Sequence, residues 1–305
     1  MYKIVPNLRN AQCLSTLNRW ELRTDENEFI GCFAREEVAK EVKEALEKYH
    51  QKQVKEINFF SWYNPNREEK VFSFNGESAA FVWIPPGEFM MGSPEDELGR
   101  YNDESPQHLV RFASGFWMQT TPVTQAQWQA VMGNNPAYFK SVGSDAPVER
   151  VSWNDVQEFI QKLNSTTKET QFRLPTEAEW EYACRAGSTT AYCFGDDDES
   201  LLEQYAWYDK NAGNTTHPVG QLTPNAWGLY DMHGNVWEWC ADWQGDYPSG
   251  AVTDPTGPTS FGAFRALRGG AWFSYARNCR AAYRWRARRP SDRDDSIGFR
   301  LVFTE

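Results

Sequence analysis

The stretch Gly228-Leu-Tyr-Asp-Met-His-Gly-Asn-Val-Trp-Glu-Trp239 brings glycines, turn-forming polar residues and two tryptophans together over a short span. The same texture runs through most of this 305-residue chain, which contains 14 Trp, 21 Gly and 16 Pro. Large rings placed among Gly and Pro indicate loops pinned by aromatic side chains rather than long regular elements. The sequence therefore predicts short strands and few helices over this region.

Six further blocks flank this stretch in chain order, four before it and two after it. They are Phe81-Val-Trp-Ile-Pro-Pro-Gly-Glu-Phe-Met-Met-Gly-Ser93, Thr121-Pro-Val-Thr-Gln-Ala-Gln-Trp128, Pro147-Val-Glu-Arg-Val-Ser-Trp-Asn-Asp155, Arg173-Leu-Pro-Thr-Glu-Ala-Glu-Trp-Glu-Tyr-Ala183, Leu267-Arg-Gly-Gly270 and Ile297-Gly-Phe-Arg300. All seven blocks resemble those of the formylglycine-generating, or sulfatase-modifying, family. The resemblance runs from about Phe81 to Phe303. It implies an α+β, C-type-lectin-like fold for a domain expected to span residues 79–305.

Residues 1–78 have a different composition and contain no recognisable catalytic motif. Residues 35–49 carry apolar side chains at helical spacing among dense mixed charges, which predicts one amphipathic surface helix. Apolar stretches flank this helix at residues 29–33 and 57–62. The pattern indicates a small N-terminal α/β module of the β-α-β type, acting as an accessory or docking module.

Three helix starts are predicted within the larger domain. Thr124-Gln-Ala-Gln127 and Thr176-Glu-Ala-Glu179 are capping boxes, in which a hydroxyl and the side chain three residues later satisfy free backbone amides. Ser152-Trp-Asn-Asp155 marks the third start. The Trp153-Asn-Asp155 triplet resembles calcium-ligating residues of true C-type lectins. Because Asn and Asp are favoured as caps at helix starts, capping is the better interpretation.

Charge and composition argue against several classes of function. The formal net charge of −11 disfavours binding of nucleic acid or of an anionic membrane by the whole protein, because both need many Lys and Arg contacts with phosphate. Residues 1–6 lack the apolar run of a signal peptide, and no apolar stretch approaches the roughly 20 residues of a membrane span. We therefore expect a soluble protein without a membrane segment, cytoplasmic by default.

The cysteines are scattered along the chain. They stand at Cys13, Cys32, Cys184, Cys193, Cys240 and Cys279, without a C-x-x-C pair. This spacing argues against a zinc site or a thioredoxin-type centre, and without a signal peptide the thiols are expected to be reduced.

The resemblance implies an oxidase centre with two cysteines after Arg268-Gly-Gly270, whose thiolates hold copper(I). The matching positions here are Ser274 and Cys279, so only the second is a cysteine. A serine hydroxyl does not replace a thiolate on a soft ion, and we expect no copper site. Related ergothioneine-type enzymes hold iron with histidines. The four histidines of this chain are isolated, so iron is not expected either.

The resemblance also implies one structural calcium ion. In the family, a stretch that matches residues 231–238 supplies the side chains of Asp231 and Glu238 and the backbone carbonyls of Gly234 and Val236. Two carboxylates and two carbonyls are hard oxygen ligands that suit calcium. The alternative is an Asp and a Glu in an ordinary turn.

The segment 272–296 separates the last two blocks and is rich in Tyr, Trp and Arg. Its Cys-Arg-Ala-Ala step and the later Arg and Pro positions resemble the variable region of diversity-generating-retroelement target proteins, in which a lectin-like scaffold displays hypervariable side chains to ligands. The positions that match the diversified ones are Phe273, Ser274, Tyr275, Arg277, Asn278, Tyr283, Trp285, Ala287, Arg288, Asp292, Asp294, Asp295 and Ser296. Tyr, Trp and Arg independently favour recognition because they are enriched in binding hot spots. A solvated Arg-rich face, or aromatic core residues, is the alternative.

Two functional hypotheses follow. The first is a non-enzymatic, receptor-type binding protein whose partner is an unidentified protein or other macromolecule. The second is a formylglycine-generating oxidase or a diverged enzyme of that class. Ser274, at a position that requires a thiolate, favours the first hypothesis. The acidic cluster Asp292, Asp294 and Asp295 argues against nucleic acid as the partner.

Overall fold

The chain divides into two compact units, Met1–Phe59 and Phe60–Glu305. The computed structural model describes the backbone of residues 2–7, 19–24 and 29–33, and residues 68–167, 170–195, 199–258 and 262–305. Within these ranges, no helix is long and apolar enough to cross a lipid bilayer.

The first unit contains a three-stranded antiparallel sheet. Its strands are β1 (Tyr2–Asn7), β2 (Arg19–Thr24) and β3 (Phe29–Phe33), hydrogen-bonded in sequential order. The apolar stretch predicted at residues 29–33 is therefore a strand. The helix predicted at residues 35–49 and the stretch at residues 57–62 lie outside the described residues.

The described residues of the second unit form three sheets of short strands. One consists of β4 (Glu69–Phe74), β5 (Glu77–Ile84), β8 (Phe116–Gln119) and β14 (Val302–Phe303), in the order β14–β8–β5–β4. Another consists of β6 (Gly87–Met91), β7 (His108–Phe112) and β10 (Val252–Thr253), in the order β10–β7–β6. The third consists of β9 (Trp237–Trp243), β11 (Arg265–Arg268), β12 (Trp285–Arg288) and β13 (Ile297–Gly298), in the order β12–β11–β9–β13.

The sheet that contains β4 begins before residue 79, where the larger domain was expected to start. β4 pairs with β5 along its whole length, and its last residue, Phe74, is fully buried. The segment 69–74 therefore belongs to the larger unit, because its backbone and side chains complete that unit's sheet and core.

Four short helices lie between the strands in the described part of the second unit. They are α1 (Gln125–Met132), α2 (Trp153–Thr166), α3 (Glu177–Arg185) and α4 (Glu199–Leu202). The expectation of few helices and short strands is confirmed.

The predicted helix starts are confirmed at the level of individual hydrogen bonds. Thr124, Ser152 and Thr176 each accept a hydrogen bond from the backbone N–H three residues later, which satisfies a free amide of the first turn. In return, Asp155 accepts the backbone N–H of Ser152 at 2.8 Å. Ser152 is therefore the N-cap of α2, and Asp155 of the triplet completes its capping box.

The core is built from aromatic rings contributed by distant parts of the chain. Rings from β4, β5, β14 and residue 172 pack with centroid separations of 5.2–5.5 Å, mostly edge to face, and belong to Phe72, Phe81, Phe172 and Phe303. Phe299, from the last block, is fully buried against Phe159 and Trp128. The last block therefore packs in the same core as the earlier blocks.

Candidate functional site

The segment 272–296 is held at both ends by the third sheet. β11 pairs antiparallel with β9 and β12, and β13 runs parallel to β9. The chain leaves β11 through Gly270, which has a φ of +83°. A Cβ at this position would lie 2.6 Å from the Cys279 sulfur, so only glycine permits the close approach.

Arg268, at the end of β11, binds the backbone in the middle of segment 272–296. Its guanidinium is fully buried and donates to the carbonyls of Ala281 at 2.8 Å and Ala282 at 3.1 Å. The same group forms ion pairs with Glu177 and Glu181 of α3. The backbone at residues 281–282 is thereby tied to a helix through one buried cation.

Two buried arginines of the segment itself point away from solvent. Arg284 forms a two-pronged ion pair with Glu177, at 2.7 and 2.8 Å, and donates to the carbonyl of Asp103 at 3.0 Å. Arg280 forms a second two-pronged pair with Glu104, at 2.6 and 2.8 Å. Buried charges remain folded only when they are paired and hydrogen-bonded in this way. These arginines therefore fix the segment's position on the domain.

His233 supplies another contact to the segment. Its Nδ1 lies 2.8 Å from the carbonyl of Cys279, and its Nε2 accepts the backbone N–H of Cys193 at 3.2 Å, so the proton is on Nδ1. Burial lowers the pKa of His233 to about 4. The imidazole is therefore neutral at pH 7 and acts as a structural hydrogen-bonding group.

The thirteen predicted ligand-binding positions differ in exposure. Phe273 and Tyr275 are 42% and 61% exposed, and Arg277 is also exposed. Partly exposed side chains are those of Asn278, Tyr283, Trp285, Arg288, Asp292, Asp294 and Asp295. Ala287 lies on β12, and its side chain is outside the described residues.

Ser274 and Ser296 lie inside the protein. The Ser274 hydroxyl accepts the backbone N–H of Ala271 at 2.9 Å, and the Ser296 hydroxyl donates to Asp294 at 2.5 Å. Both hydroxyls satisfy local polar groups of turns, so they do not reach a ligand at the surface. The accessible set is therefore smaller than the set of thirteen positions.

Several partly exposed positions also have structural contacts. Trp285 packs on Trp237 with ring centroids 4.8 Å apart, and the Arg288 guanidinium lies 4.5 Å from the Trp285 ring. Arg288 pairs with Asp294 at 3.0 Å. One side of each of these residues is used by the fold, and the other side faces solvent.

The two positions that match the oxidase cysteines do not form a thiol pair. Cys279 is fully buried, and burial raises the pKa of its thiol, so the thiolate form is disfavoured at neutral pH. The Ser274 hydroxyl is engaged by the backbone of Ala271. The described cysteines, Cys184, Cys193, Cys240 and Cys279, are free thiols and buried.

The predicted calcium ligands Asp231 and Glu238 are both buried. Glu238 receives three hydrogen bonds, from Trp180 at 2.8 Å and from both prongs of Arg300 at 2.7 Å. Asp231 accepts from the backbone N–H of Gly220 at 2.8 Å, and burial raises its pKa to about 6.

These contacts fit a calcium ion in part. Oε1 of Glu238 and the carboxylate of Asp231 retain acceptor capacity, whereas Oε2 of Glu238 already accepts two hydrogen bonds. The carbonyl of Gly234 accepts from the N–H of Val236 at 2.9 Å. Across the described ranges, no group of three or more His, Cys, Asp or Glu side chains is arranged to hold a metal ion. Calcium therefore stays a prediction based on the resemblance.

Sequence reasoning missed the side chains that border the segment from other loops. Tyr101 packs on Tyr283 with centroids 5.3 Å apart, and Phe139 packs on Trp272 at 5.4 Å. Both partners come from loops far away in sequence. The only local signal was an aromatic residue in a polar turn, such as Tyr138 after Asn-Asn-Pro-Ala.

Comparison with known families identifies the domain. The model of the family described as "Sulfatase-modifying factor enzyme 1-like domain" matches residues 68–305. The chain belongs to the sulfatase-modifying-factor family. The match confirms the family and the fold class that the seven blocks predicted.

A solved structure and two enzymes resemble the chain to a similar degree. The solved structure of Treponema denticola variable protein 1 superposes with a TM-score of 0.70 and 31% identity, over 79% of this chain and 99% of that one. The formylglycine-generating enzyme of Streptomyces coelicolor is 31% identical over 72% of this chain and 88% of its own length. The mouse formylglycine-generating enzyme is 35% identical over 64% of this chain and 53% of its own length.

Proposed function

We propose that the protein is a non-enzymatic, receptor-type variable protein of a diversity-generating retroelement. Segment 272–296 would display side chains to a protein or other macromolecular ligand. The observation that carries the proposal is the division of this segment into buried anchors and exposed side chains. Arg280 and Arg284 are buried, whereas Phe273, Tyr275 and Arg277 are exposed.

This division separates folding from recognition. Arg280 and Arg284 donate hydrogen bonds to the carboxylates of Glu104 and Glu177. The backbone carbonyls of residues 281 and 282 accept hydrogen bonds from Arg268, and a backbone carbonyl is the same for every residue type. The exposed side chains make few contacts with the rest of the domain. Surface substitutions of this kind usually change the free energy of unfolding by no more than about 0.5 kcal/mol. The exposed positions can therefore vary without loss of the fold.

The exposed residues are also of the type that binding requires. Tyr and Trp provide large contact areas with little loss of conformational entropy, and Arg adds directed hydrogen bonds. The likeness to Treponema denticola variable protein 1, which extends over nearly the whole of that protein, also supports the proposal.

The second candidate function is formylglycine generation, and sequence identity to enzymes of that name favours it equally. The chemistry at residues 274 and 279 argues against it, because one buried thiol and one hydroxyl do not form the two-thiolate copper(I) site. We therefore place the binding function first.

Two matched libraries test the proposal while the natural ligand is unidentified. The first randomises the exposed residues Phe273, Tyr275 and Arg277, and the second randomises the buried residues Ala276, Arg280 and Arg284. Most members of the first library should express as folded protein with melting temperatures close to the parent, and most members of the second should not fold. Selection of the first library against hen lysozyme should yield binders. If the first library unfolds as often as the second, the segment is core and the proposal fails.

A further inference from the structure

The loop at residues 133–146, which follows α1, is built as a rigid unit. The Asn135 side chain accepts the N–H of Ala137 at 3.0 Å and donates to Gln125 at 2.8 Å. Gln125 in turn donates to the carbonyl of Phe139 at 3.3 Å. The loop's conformation is therefore fixed by side chains of α1 and of the loop itself.

Glu149 fixes the tip of this loop. Its two carboxylate oxygens accept the backbone N–H groups of Tyr138 at 2.9 Å and Phe139 at 2.8 Å. The carboxyl is fully buried and forms no salt bridge with any described residue. Burying a carboxyl costs free energy unless hydrogen bonds within the protein replace those it made with water. Here they hold two consecutive amides in one orientation.

The residue held in this way presents a large ring to solvent. Tyr138 is 61% exposed although its backbone is fixed. Ring contacts then run without a break from Tyr138 to Phe139 at 4.9 Å, to Trp272 at 5.4 Å and to Phe273 at 5.0 Å. Phe273 lies 6.4 Å from Trp285. We call this set of five rings the aromatic ridge.

Two exposed cations lie close in sequence to rings of the aromatic ridge, and both are unpaired within the described ranges. Arg277 and Lys140 are exposed, and neither forms a salt bridge with a described residue. Among the acidic residues of the segment, Asp294 binds Arg288 and Asp292 accepts the N–H of Arg289, whereas Asp295, whose carbonyl accepts from the Trp272 indole at 3.3 Å, is partly exposed. A protein with a net charge of −11 thus presents free positive charge next to its exposed rings.

We propose that the ligand face extends beyond segment 272–296 onto the loop, where Tyr138 and Phe139 form a fixed aromatic wall positioned by Glu149. The occupant that fits this surface is a polypeptide with an exposed apolar side chain flanked by carboxylates. The rings bind the apolar side chain, and Arg277 and Lys140 bind the carboxylates. This inference rests on the proposed function. It adds a part of the site outside segment 272–296, which pays little ordering cost on binding because the loop is already fixed.

The probe is a peptide selected from a phage-displayed library of random dodecapeptides against the parent protein, then synthesised with a fluorescein label. Enriched peptides should carry acidic residues next to aromatic or aliphatic ones. By fluorescence anisotropy, Tyr138→Ala and Tyr275→Ala should each weaken binding about tenfold or more, as expected for truncated hot-spot rings. Val71→Ala, at a site on β4 that is 64% exposed, is the matched control and should leave binding unchanged.

The outcomes separate the two proposals. Loss of binding in Tyr275→Ala but not in Tyr138→Ala overturns the extended wall and leaves the proposed function intact. No loss in either variant, or no peptide enriched over a Phe273→Ala/Tyr275→Ala/Arg277→Ala control, contradicts both. Enriched peptides without carboxylates refute the stated chemistry of the occupant.

Glu149→Gln tests the positioning role separately. Glutamine keeps the shape but has one acceptor oxygen instead of two, so one of the two loop amides loses its partner. Hydrogen–deuterium exchange should accelerate at Tyr138 and Phe139 and not in α2, and peptide affinity should fall severalfold. Unchanged exchange at both amides would show that Glu149 does not position the wall.

Discussion

Replacing Arg280 with alanine should destabilise segment 272–296, whereas replacing its exposed neighbour Arg277 should not. Arg280 is 1% exposed and forms ion pairs with Glu104 and Glu97, and it also donates to the carbonyl of Gly99 at 3.0 Å. Arg280→Ala removes the cation but leaves both carboxylates buried in the fold.

The expected loss of unfolding free energy in Arg280→Ala follows from the two carboxylates left without a cation. Removing one partner of a buried ion pair costs about 3 to 5 kcal/mol, because the remaining charge is desolvated and uncompensated. Arg280→Lys keeps the charge but loses the two-pronged geometry, so we expect an intermediate loss. Arg277→Ala should stay within about 0.5 kcal/mol, because its side chain is exposed and forms no ion pair among the described residues.

Urea unfolding followed by tryptophan fluorescence measures these differences. The double variant Arg280→Ala/Glu104→Gln also removes the unpaired carboxylate of Glu104, so it should recover part of the lost stability. Two results would refute the reasoning: a loss below about 1 kcal/mol for Arg280→Ala, or an equal loss for Arg277→Ala.

Three further predictions concern pH, metal and catalysis. Burial raises the pKa of Glu149 from 4.5 to about 7, so ionisation of this carboxyl destabilises the parent as pH rises from 5 to 8, and the difference in unfolding free energy between the parent and Glu149→Gln should be smaller at pH 8 than at pH 5; an equal difference at the two pH values, measured by urea unfolding, would contradict this. If calcium binds at Asp231 and Glu238, excess chelator should lower the melting temperature by several degrees, and an unchanged melting curve would argue against the ion. Purified protein with copper(I) and a sulfatase-type cysteine peptide should form no formylglycine, and aldehyde detected by mass spectrometry above a no-protein control would overturn the non-enzymatic function.

Features that depend on neighbouring residues could be predicted from the sequence. The caps at Thr124, Ser152 and Thr176 connect residues three apart, so their hydrogen bonds are encoded locally. The family and fold were predicted from seven ordered blocks rather than from periodicity.

Features that depend on distant residues could not be predicted. Arg280 and Glu104 are 176 positions apart, and Arg284 and Glu177 are 107 apart, so no local pattern indicates their pairing. The burial of Ser274 was equally hidden, because it follows from a turn in which its hydroxyl accepts the N–H of Ala271. The resemblance indicated which positions match diversified ones, but their exposure depends on the turns that carry them.

The buried arginines explain how a segment can keep its shape while its surface changes. An apolar anchor gains stability from contact area with its neighbours, so its contribution depends on which side chains surround it. Arg268 instead binds the carbonyls of Ala281 and Ala282, and Arg280 and Arg284 reach carboxylates on other elements. None of these bonds involves a side chain at an exposed position of the segment. The stability of the backbone is therefore largely independent of residues 273, 275 and 277, as the proposed function requires.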